Sequence, residues 1–161
     1  MNIPYPKMYS NEISKILGRN PATRRYFIGC YAADKLPENY NVYPYCFVAN
    51  MDCSGWTGSH WIAIFVKSGT SVEYYDSLGH WPPLSPYIIA FLRKFRSIES
   101  NSEQLQSENS KSCGKHVIYF LHKRCSETIS SISDLIAYFR KHRQSPDEIV
   151  NEFVRHLMHI Q

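Results

Sequence analysis

Three short runs of β-branched and aromatic residues lie in the middle of the chain. They cover residues 45–51 (YCFVANM), 60–67 (HWIAIFVK) and 72–78 (VEYYDSL), and each is bounded by Gly, Ser or Asp. Runs of this length and composition predict β-strands. Because residues 68–70 (SGT) form a short turn between the second and third runs, we expect these two strands to pair as a hairpin within an antiparallel meander.

Two helices are predicted on either side of these strands. The first covers residues 11–17, with Ser10 as its N-cap and Gly18 as its stop. The second begins at Pro86, after Ser85 as N-cap, and its apolar residues recur at helical spacing. Those apolar residues are Ile88, Ile89, Leu92 and Phe95.

The C-terminal part of the chain is predicted to be helical. Residues 113–125 are apolar on most sides, which is typical of a buried helix, and Ser112 precedes them as N-cap. Amphipathic helices follow near 132–142 and 146–159, the second opened by a capping box at residues 145–148. Together with the strands, these helices predict one α+β domain over the whole chain, with a small central mixed sheet flanked by helices.

Two segments give no regular pattern. Residues 22–44 are rich in Pro, Asn and Tyr, which indicates an irregular wall carrying a few buried aromatic side chains. Residues 97–112 are polar and have no periodic apolar face, so we expect a loop there. Only residues 103–106 (EQLQ) have a brief strand-like character within it.

Charge and hydropathy narrow the possible functions only slightly. The net charge is +4, and the basic residues concentrate in the second half of the chain. A solvated basic surface is the simpler interpretation, and a side that faces DNA or another polyanion is left open. The N-terminus has no signal-peptide pattern and no apolar run approaches the ~20 residues of a membrane span, so we expect an intracellular protein.

The cysteines favour reduced thiols over a disulfide framework or a metal site. Their number is odd, none forms a C-x-x-C pair, and no export signal accompanies them. The spacing of Cys46, Cys53 and His60 is too irregular for a zinc cluster, so we predict no metal and no organic cofactor. The cysteines are Cys30, Cys46, Cys53, Cys113 and Cys125.

Cys113 has the setting of a nucleophile. It lies at the predicted start of a buried helix, where the helix dipole lowers a thiol pKa. Gly114 follows it and would let a substrate backbone come close. His60 begins one strand and Asp76 ends its hairpin partner, and neighbouring strands are ~4.8 Å apart, so the carboxylate could orient the imidazole. Each of these residues taken singly is more often structural.

Gln106 precedes Cys113 by seven residues in the polar loop. Its side-chain amide could fold back over the cysteine and act as a hydrogen-bond donor. Together with the backbone N–H of Cys113, such a donor would stabilise the oxyanion of a tetrahedral intermediate. The alternative is an exposed polar loop residue.

Taken together, His-Trp, Asp-x-x-Gly, Gln and Cys-Gly in this order resemble the adenovirus-type (adenain) cysteine proteases, within the wider clan of Ulp and SUMO proteases. The resemblance is carried by GSHWIAIFV, VEYYDSLG and QSENSKSCG. It implies His60 as base, Asp76 as orienting acid, Cys113 as nucleophile and Gln106 as oxyanion donor. It also implies that Trp61 supports a narrow substrate cleft.

The resemblance further implies cleavage of capsid or core precursors after small residues such as Gly, in the cytoplasm or nucleus of a host cell or in a virion. The chain differs from adenain in having Asp76 where a Glu is usual. It also has no cysteine between Asp76 and Cys113 for the disulfide to a peptide cofactor. A noncovalent peptide activator or DNA is left open.

Three alternatives to an adenain-type protease are left open. A deconjugating protease for ubiquitin or SUMO-like modifiers shares the chemistry. Acetyltransferases of bacterial effectors share the order of His, acid and Cys. A catalytically inactive nucleic-acid-binding module would use the late basic residues instead.

Overall fold

A five-stranded sheet in the order β1-β2-β3-β4-β5 forms the centre of the computed structural model, which describes residues 6–52 and 60–160. Neighbours among β2, β3 and β4 are antiparallel, and Ser68 lies opposite Ser71 at their hairpin. The predicted meander is therefore confirmed, whereas Cys53 lies outside the described residues. The strands are β1 (Phe27–Ala32), β2 (Tyr45–Asn50), β3 (Trp61–Ser68), β4 (Ser71–Tyr75) and β5 (Ser97–Ser100).

The first strand, β1, was not predicted. It runs parallel to β2, with Ala32 opposite Asn50, and its register shifts near Gly29, whose φ is +141°. All of its residues are half-buried, so no alternation of apolar and polar positions marks the strand in the sequence. The expected irregular wall over residues 22–44 is therefore wrong for this strand.

The last strand, β5, lies within the segment that was expected to be a loop. It runs parallel to β4, with Ile98 opposite Val72, and the side chain of Ile98 is exposed. The strand is polar because it forms an edge of the sheet, where side chains face solvent. The loop prediction for residues 97–112 is therefore wrong at its start, and residues 103–106 form no strand.

The first helix, α1 (Ser10–Arg19), is longer than predicted at both ends. Tyr9 is its N-cap, and the Tyr9 backbone N–H donates to the Glu12 carboxylate at 3.1 Å. Gly18 lies inside the helix, which ends where the side chain of Asn20 accepts a backbone N–H two residues further on. The predicted stop at Gly18 is therefore wrong.

The second helix, α2 (Pro86–Leu92), begins as predicted. Ser85 Oγ accepts the Ile88 N–H at 3.4 Å, and a proline occupies the first helical turn. Phe95 lies beyond the end of the helix but still packs against the same apolar cluster.

Helices α3 (Cys113–Cys125), α4 (Ile132–Lys141) and α5 (Pro146–Ile160) confirm the three C-terminal predictions. The capping box of α5 is also present, because Ser145 and Glu148 each accept the backbone N–H of the other, at 3.2 and 3.3 Å. Within residues 6–52 and 60–160, no helix combines the length and apolar character that a bilayer span requires.

The sheet separates two apolar clusters. Helices α1, α3, α4 and α5 pack on one face, and α2 packs on the other. Along β3, Ala63 and Phe65 face the first cluster, whereas Ile62 and Ile64 face the second, so both faces are buried and the strand is apolar from Trp61 to Val66. The prediction of an α+β fold is confirmed, and α3 packs directly against β3.

Candidate active site

The ends of two paired strands bring His60 and Asp76 together. His60 precedes β3 and Asp76 follows β4, and these strands are antiparallel neighbours. His60 Nε2 lies 2.6 Å from Asp76 Oδ1, which is the length of a strong charge-assisted hydrogen bond. Asp76 is fully buried and His60 is 9% exposed, so this bond is largely shielded from water.

The carboxylate of Asp76 is fixed from several directions. The Leu78 N–H donates to Oδ1 at 2.9 Å, and Asn101 Oδ1 accepts the backbone N–H of Asp76 at 3.0 Å. The other carboxylate oxygen, Oδ2, lies 3.5 Å from His80 Nδ1 and has no hydrogen-bond partner among the described residues. The backbone contacts therefore hold Oδ1 in line with His60.

Cys113 is the first residue of α3, and its thiol lies beside the imidazole of His60, which lowers the thiol pKa. Because His60 Nε2 is engaged by Asp76, Nδ1 is the ring nitrogen that remains for the thiol. The backbone N–H groups of Trp61 and Gly114 also lower the pKa of the thiol. The three groups form a continuous line from a buried carboxylate through an imidazole to a thiol.

The pKa values of Cys113 and His60 are shifted in the directions that favour an ion pair. Burial raises the pKa of the Cys113 thiol, but the hydrogen bond and charge of His60 and the two backbone N–H groups outweigh burial and lower it. Burial likewise lowers the pKa of His60, but Asp76 and Cys113 outweigh it and raise this pKa to about 9. The arrangement therefore favours a thiolate beside an imidazolium.

Gln106 is held in the loop between β5 and α3. Its side-chain oxygen accepts the Ser77 hydroxyl at 2.6 Å, and its Nε2 donates to the Ser110 carbonyl at 2.8 Å. A side-chain amide carries two N–H donors, so one remains for a further acceptor. Gln106 is 4% exposed, which keeps its orientation fixed.

His60, Gln106 and Cys113 line one cavity of about 780 Å³. Part of its wall is apolar, with Leu84 70% exposed and Tyr87 50% exposed. A cleft of this size is suited to an extended peptide segment. In the part of the chain that the structure describes, no three His, Cys, Asp or Glu side chains converge in a way that could bind a metal ion.

Trp61 and Gly114, which were expected to contact substrate, do not line this cavity. The indole N–H of Trp61 donates to the carbonyl of Met8 at 3.0 Å, and the side chain is buried. A Cβ atom at Gly114 would lie 2.9 Å from the Cβ of Met8. Both residues pack against the segment before α1, and their backbone N–H groups face the thiol. A substrate-binding role for either residue stays a prediction.

Sequence reasoning did not identify four further residues near this centre. Ser77 and His80 follow Asp76 so closely that their position in the chain could have indicated them. Leu84 and Tyr87 flank the N-cap of α2, and nothing in the sequence distinguishes them from ordinary surface residues. Their position in the cavity depends on how the segment between β4 and α2 folds back over the sheet.

No protein-family model matches the chain, and no curated protein sequence matches it. Among solved structures, the central domain of the uncharacterized Lpg1148 protein from Legionella pneumophila has the same fold. Its TM-score is 0.53 at 12% identity, over 96% of this chain and 99% of that domain.

Two further solved structures show similarity to this chain. The pS273R protease of ASFV is 26% identical with a TM-score of 0.36, over 50% of this chain and 35% of that chain, so this chain matches about a third of that protease. ChlaDub1 from Chlamydia trachomatis is 16% identical with a TM-score of 0.47, over 96% of this chain and 78% of that chain.

Proposed function

We propose that the chain is a cysteine endopeptidase in which Cys113 is the nucleophile and His60 the general acid and base. The observation that carries the proposal is the buried imidazole that hydrogen-bonds Asp76 and lies beside the Cys113 thiol, whose pKa it lowers. A thiol in this setting ionises more readily than a free one, and a thiolate is a strong nucleophile. The cavity beside it gives a peptide access to the sulfur.

The reaction follows from these positions. The Cys113 thiolate attacks a peptide carbonyl carbon, and the carbonyl electron pair moves onto oxygen to form a tetrahedral oxyanion. This oxyanion accepts hydrogen bonds from the free N–H of Gln106 and from the backbone N–H of Cys113, which has no partner within the first turn of a helix.

Collapse of the tetrahedral intermediate breaks the C–N bond, and the His60 imidazolium gives its proton to the leaving amine. The product at this stage is a thioester on Cys113. His60 then takes a proton from water as the water oxygen attacks the thioester, and the carboxylic acid product leaves as the thiolate reforms. Asp76 keeps the ring oriented and stabilises its charged form throughout.

The order and spacing of these residues support a finer assignment to an adenain-type enzyme. On this proposal the substrates are capsid or core precursor proteins, cut after small residues such as Gly, inside a host cell or in a virion. The proposed reaction needs no cofactor beyond the chain's own residues. A noncovalent peptide or DNA activator is part of the proposal and requires its own binding measurement.

The basic residues give little support to a nucleic-acid-binding module without catalytic activity. Arg124 is buried and forms hydrogen bonds with Glu73, the shortest at 2.6 Å, and Lys115 is only 7% exposed. Neither of these two cations is therefore presented to a polyanion. The exposed cations that remain, such as Arg93 and Arg143, are ordinary for a soluble surface.

The test uses a peptide that ends in Gly-Gly joined to a fluorogenic amine, and a peptide electrophile of the same sequence. We expect hydrolysis of the first and labelling of Cys113 by the second at neutral pH, with both lost in Cys113→Ser and His60→Ala. Cys30→Ser is the control, because burial raises the pKa of Cys30 to about 11 and this thiol stays protonated. Equal labelling of Cys30 and Cys113 would contradict the proposal.

A further inference from the structure

A second histidine–carboxylate pair lies directly behind the site. His116, one helical turn after Cys113, is completely buried, and its Nε2 is 2.8 Å from Asp147 Oδ1. Its Nδ1 is 3.2 Å from the hydroxyl of Tyr75. Because a carboxylate only accepts, the proton lies on Nε2, and the Tyr75 hydroxyl then donates to Nδ1.

The same carboxylate also holds the loop that carries Gln106. Asp147 Oδ2 accepts the backbone N–H of Ser107 at 3.1 Å, and Ser107 directly follows Gln106. At the other end of the loop, Asn151 Nδ2 donates to Ser112 Oγ at 3.1 Å. The first turns of α5 therefore hold both ends of the loop between Gln106 and Cys113.

The residues that contact His116 and Asp147 lie close in sequence to residues of the candidate site. Tyr75 directly precedes Asp76, and Ser107 directly follows Gln106. His116 lies on the same buried helix as Cys113. A carboxylate that contacts both α3 and the loop fixes the distance between the nucleophile and the amide of Gln106. The shorter contacts of Gln106 with Ser77 and Ser110 set its rotamer, and Ser110 Oγ accepts the backbone N–H of Ser112 at the N-cap of α3. Asp147 adds a connection to the first turn of α3 itself, through His116.

We propose that Asp147 is a positioning residue for oxyanion stabilisation, because it joins the Gln106 loop to the helix that carries Cys113. The inference rests on the proposed cysteine protease activity. It adds a fifth residue to the four that the proposed site already uses. Asp147 acts through Gln106 and leaves the Cys113–His60 pair unchanged, since that pair is fixed by β3, β4 and the start of α3. Its loss therefore affects steps that form an oxyanion and spares simple alkylation of the thiol.

The test compares Asp147→Asn with wild type. In asparagine an N–H₂ group replaces one of the two carboxylate oxygens, so the positions that accept from His116 and from Ser107 can no longer both be acceptors. Asp134→Asn is the matched control. Asp134 likewise accepts a backbone N–H, from Ser130 at 2.9 Å, near the start of a helix, but it is exposed and does not line the cavity.

Three measurements distinguish a positioning role of Asp147 from a general disruption of the site. In Asp147→Asn we expect kcat/KM for the Gly-Gly peptide to fall about tenfold, below the 10²–10³-fold typical for complete removal of an oxyanion donor. Binding of a peptide aldehyde should weaken by a similar factor, because its adduct with Cys113 carries the same oxyanion. Alkylation of Cys113 by iodoacetamide should stay within about twofold of wild type.

A double variant tests whether the effect passes through Gln106. In a Gln106→Ala background, we expect Asp147→Asn to lower kcat/KM by less than about twofold, because the donor that it positions is already absent. A full tenfold loss in that background would overturn the proposal. A parallel tenfold loss of iodoacetamide alkylation, or no change in aldehyde binding, would overturn it as well.

A second variant covers the case in which Asp147→Asn does not fold. An ester in place of the peptide bond between Gln106 and Ser107, made with an α-hydroxy analogue of alanine, removes the N–H that donates to Asp147 and weakens the Gln106 carbonyl as an acceptor from Gln104. Ser107→Ala is its control, since the Ser107 side chain is exposed. The ester should reproduce the loss in aldehyde binding, and a fully active ester variant would overturn the proposal.

Amide hydrogen exchange keeps this inference distinct from the proposed function. We expect faster exchange over residues 106–111 in Asp147→Asn but not in Asp134→Asn. If the wild-type protein neither cleaves peptides nor binds the aldehyde, the proposed function fails, and unchanged exchange over this loop would independently reject the role of Asp147.

Discussion

The two buried histidine–carboxylate pairs of this protein use the same groups and differ in their charge state. His60 bonds to Asp76 at 2.6 Å and His116 bonds to Asp147 at 2.8 Å. The pKa of His60 is raised to about 9. The pKa of His116 is lowered, because burial and the charge on His60 outweigh the attraction of Asp147.

The difference lies in what faces the second ring nitrogen. His60 faces a thiol that can give up its proton, and it lines a cavity, so the imidazolium gains a second negative partner, and the two partners together outweigh the large cost of burial. His116 faces a phenol and has no exposed surface. A carboxylate beside an imidazole therefore does not by itself make a general base, because the third group and access to water decide its charge.

The largest expected contrast is in catalysis. His60→Ala should lower kcat/KM for the Gly-Gly peptide by about 10⁴-fold, because thiol activation and protonation of the leaving amine are both lost. His116→Phe should lower it by about tenfold, through the loop alone. His156→Ala, an exposed change on α5, serves as the control. Equal losses in the first two variants would erase the distinction between the pairs.

The next contrast is in stability, where the His116 pair should matter more than the His60 pair. His116→Phe keeps a planar ring but leaves the Tyr75 hydroxyl and one Asp147 oxygen without their partner, so the free energy of unfolding should fall by about 2–3 kcal/mol. His122→Phe is the matched control, because His122 Nδ1 has no hydrogen-bond partner within the described ranges. It should change stability by less than about 0.5 kcal/mol. Denaturant titration checks both, and equal changes would contradict a structural role for His116.

The pH dependence separates the two reactions of Cys113. Above pH 9 or so, the His60 imidazolium loses its proton, so peptide hydrolysis should fall by up to about tenfold per pH unit. The thiolate persists there, so iodoacetamide alkylation should not decline. On the acid side both rates should fall together, once pH drops below the lowered pKa of Cys113. A shared decline of both rates above pH 9 would contradict the assignment of the raised pKa to His60.

The Cys113–His60 pair should make stability depend on pH less steeply than His60 alone would. The raised pKa of His60 contributes stability that is lost as pH rises from 6.5 to about 9, and the lowered pKa of Cys113 contributes stability that grows over the upper part of the same range. These contributions have opposite signs, so the gain at Cys113 offsets part of the loss at His60. The lowered pKa of His116 remains, so stability should decrease as pH falls below 6.5.

The centre of the sheet and the C-terminal helices could be predicted because local sequence and tertiary position agree there. Strands β2 to β4 are buried on both faces over most of their length and consist mainly of apolar and aromatic residues, and the Ser145–Glu148 capping box marks the start of α5. Strands β1 and β5 could not be predicted, because both are edge strands that pair in parallel with distant segments. Their residues are half-buried or polar, so only tertiary pairing reveals them.

The candidate site could be predicted in part for the same reason. His60 and Asp76 lie at the ends of strands joined by a short turn, so their proximity follows from the hairpin. The His116–Asp147 contact could not be inferred, because it joins two helices whose crossing no local pattern specifies. The direction of the Trp61 side chain could not be inferred either, since it depends on a contact with Met8.

The smallest expected effect concerns Tyr75, the group that takes the place of the thiol in the second pair. Burial raises the pKa of Tyr75 well above its ordinary value, so the phenol stays protonated and donates to His116 instead of charging it. Tyr75→Phe removes only this donor and should lower the free energy of unfolding by about 1 kcal/mol. The ¹⁵N chemical shift of His116 Nδ1 should move towards that of an unprotonated nitrogen without a hydrogen bond. A protonated His116 in this variant would mean that the carboxylate, and not the third group, sets the charge of the pair.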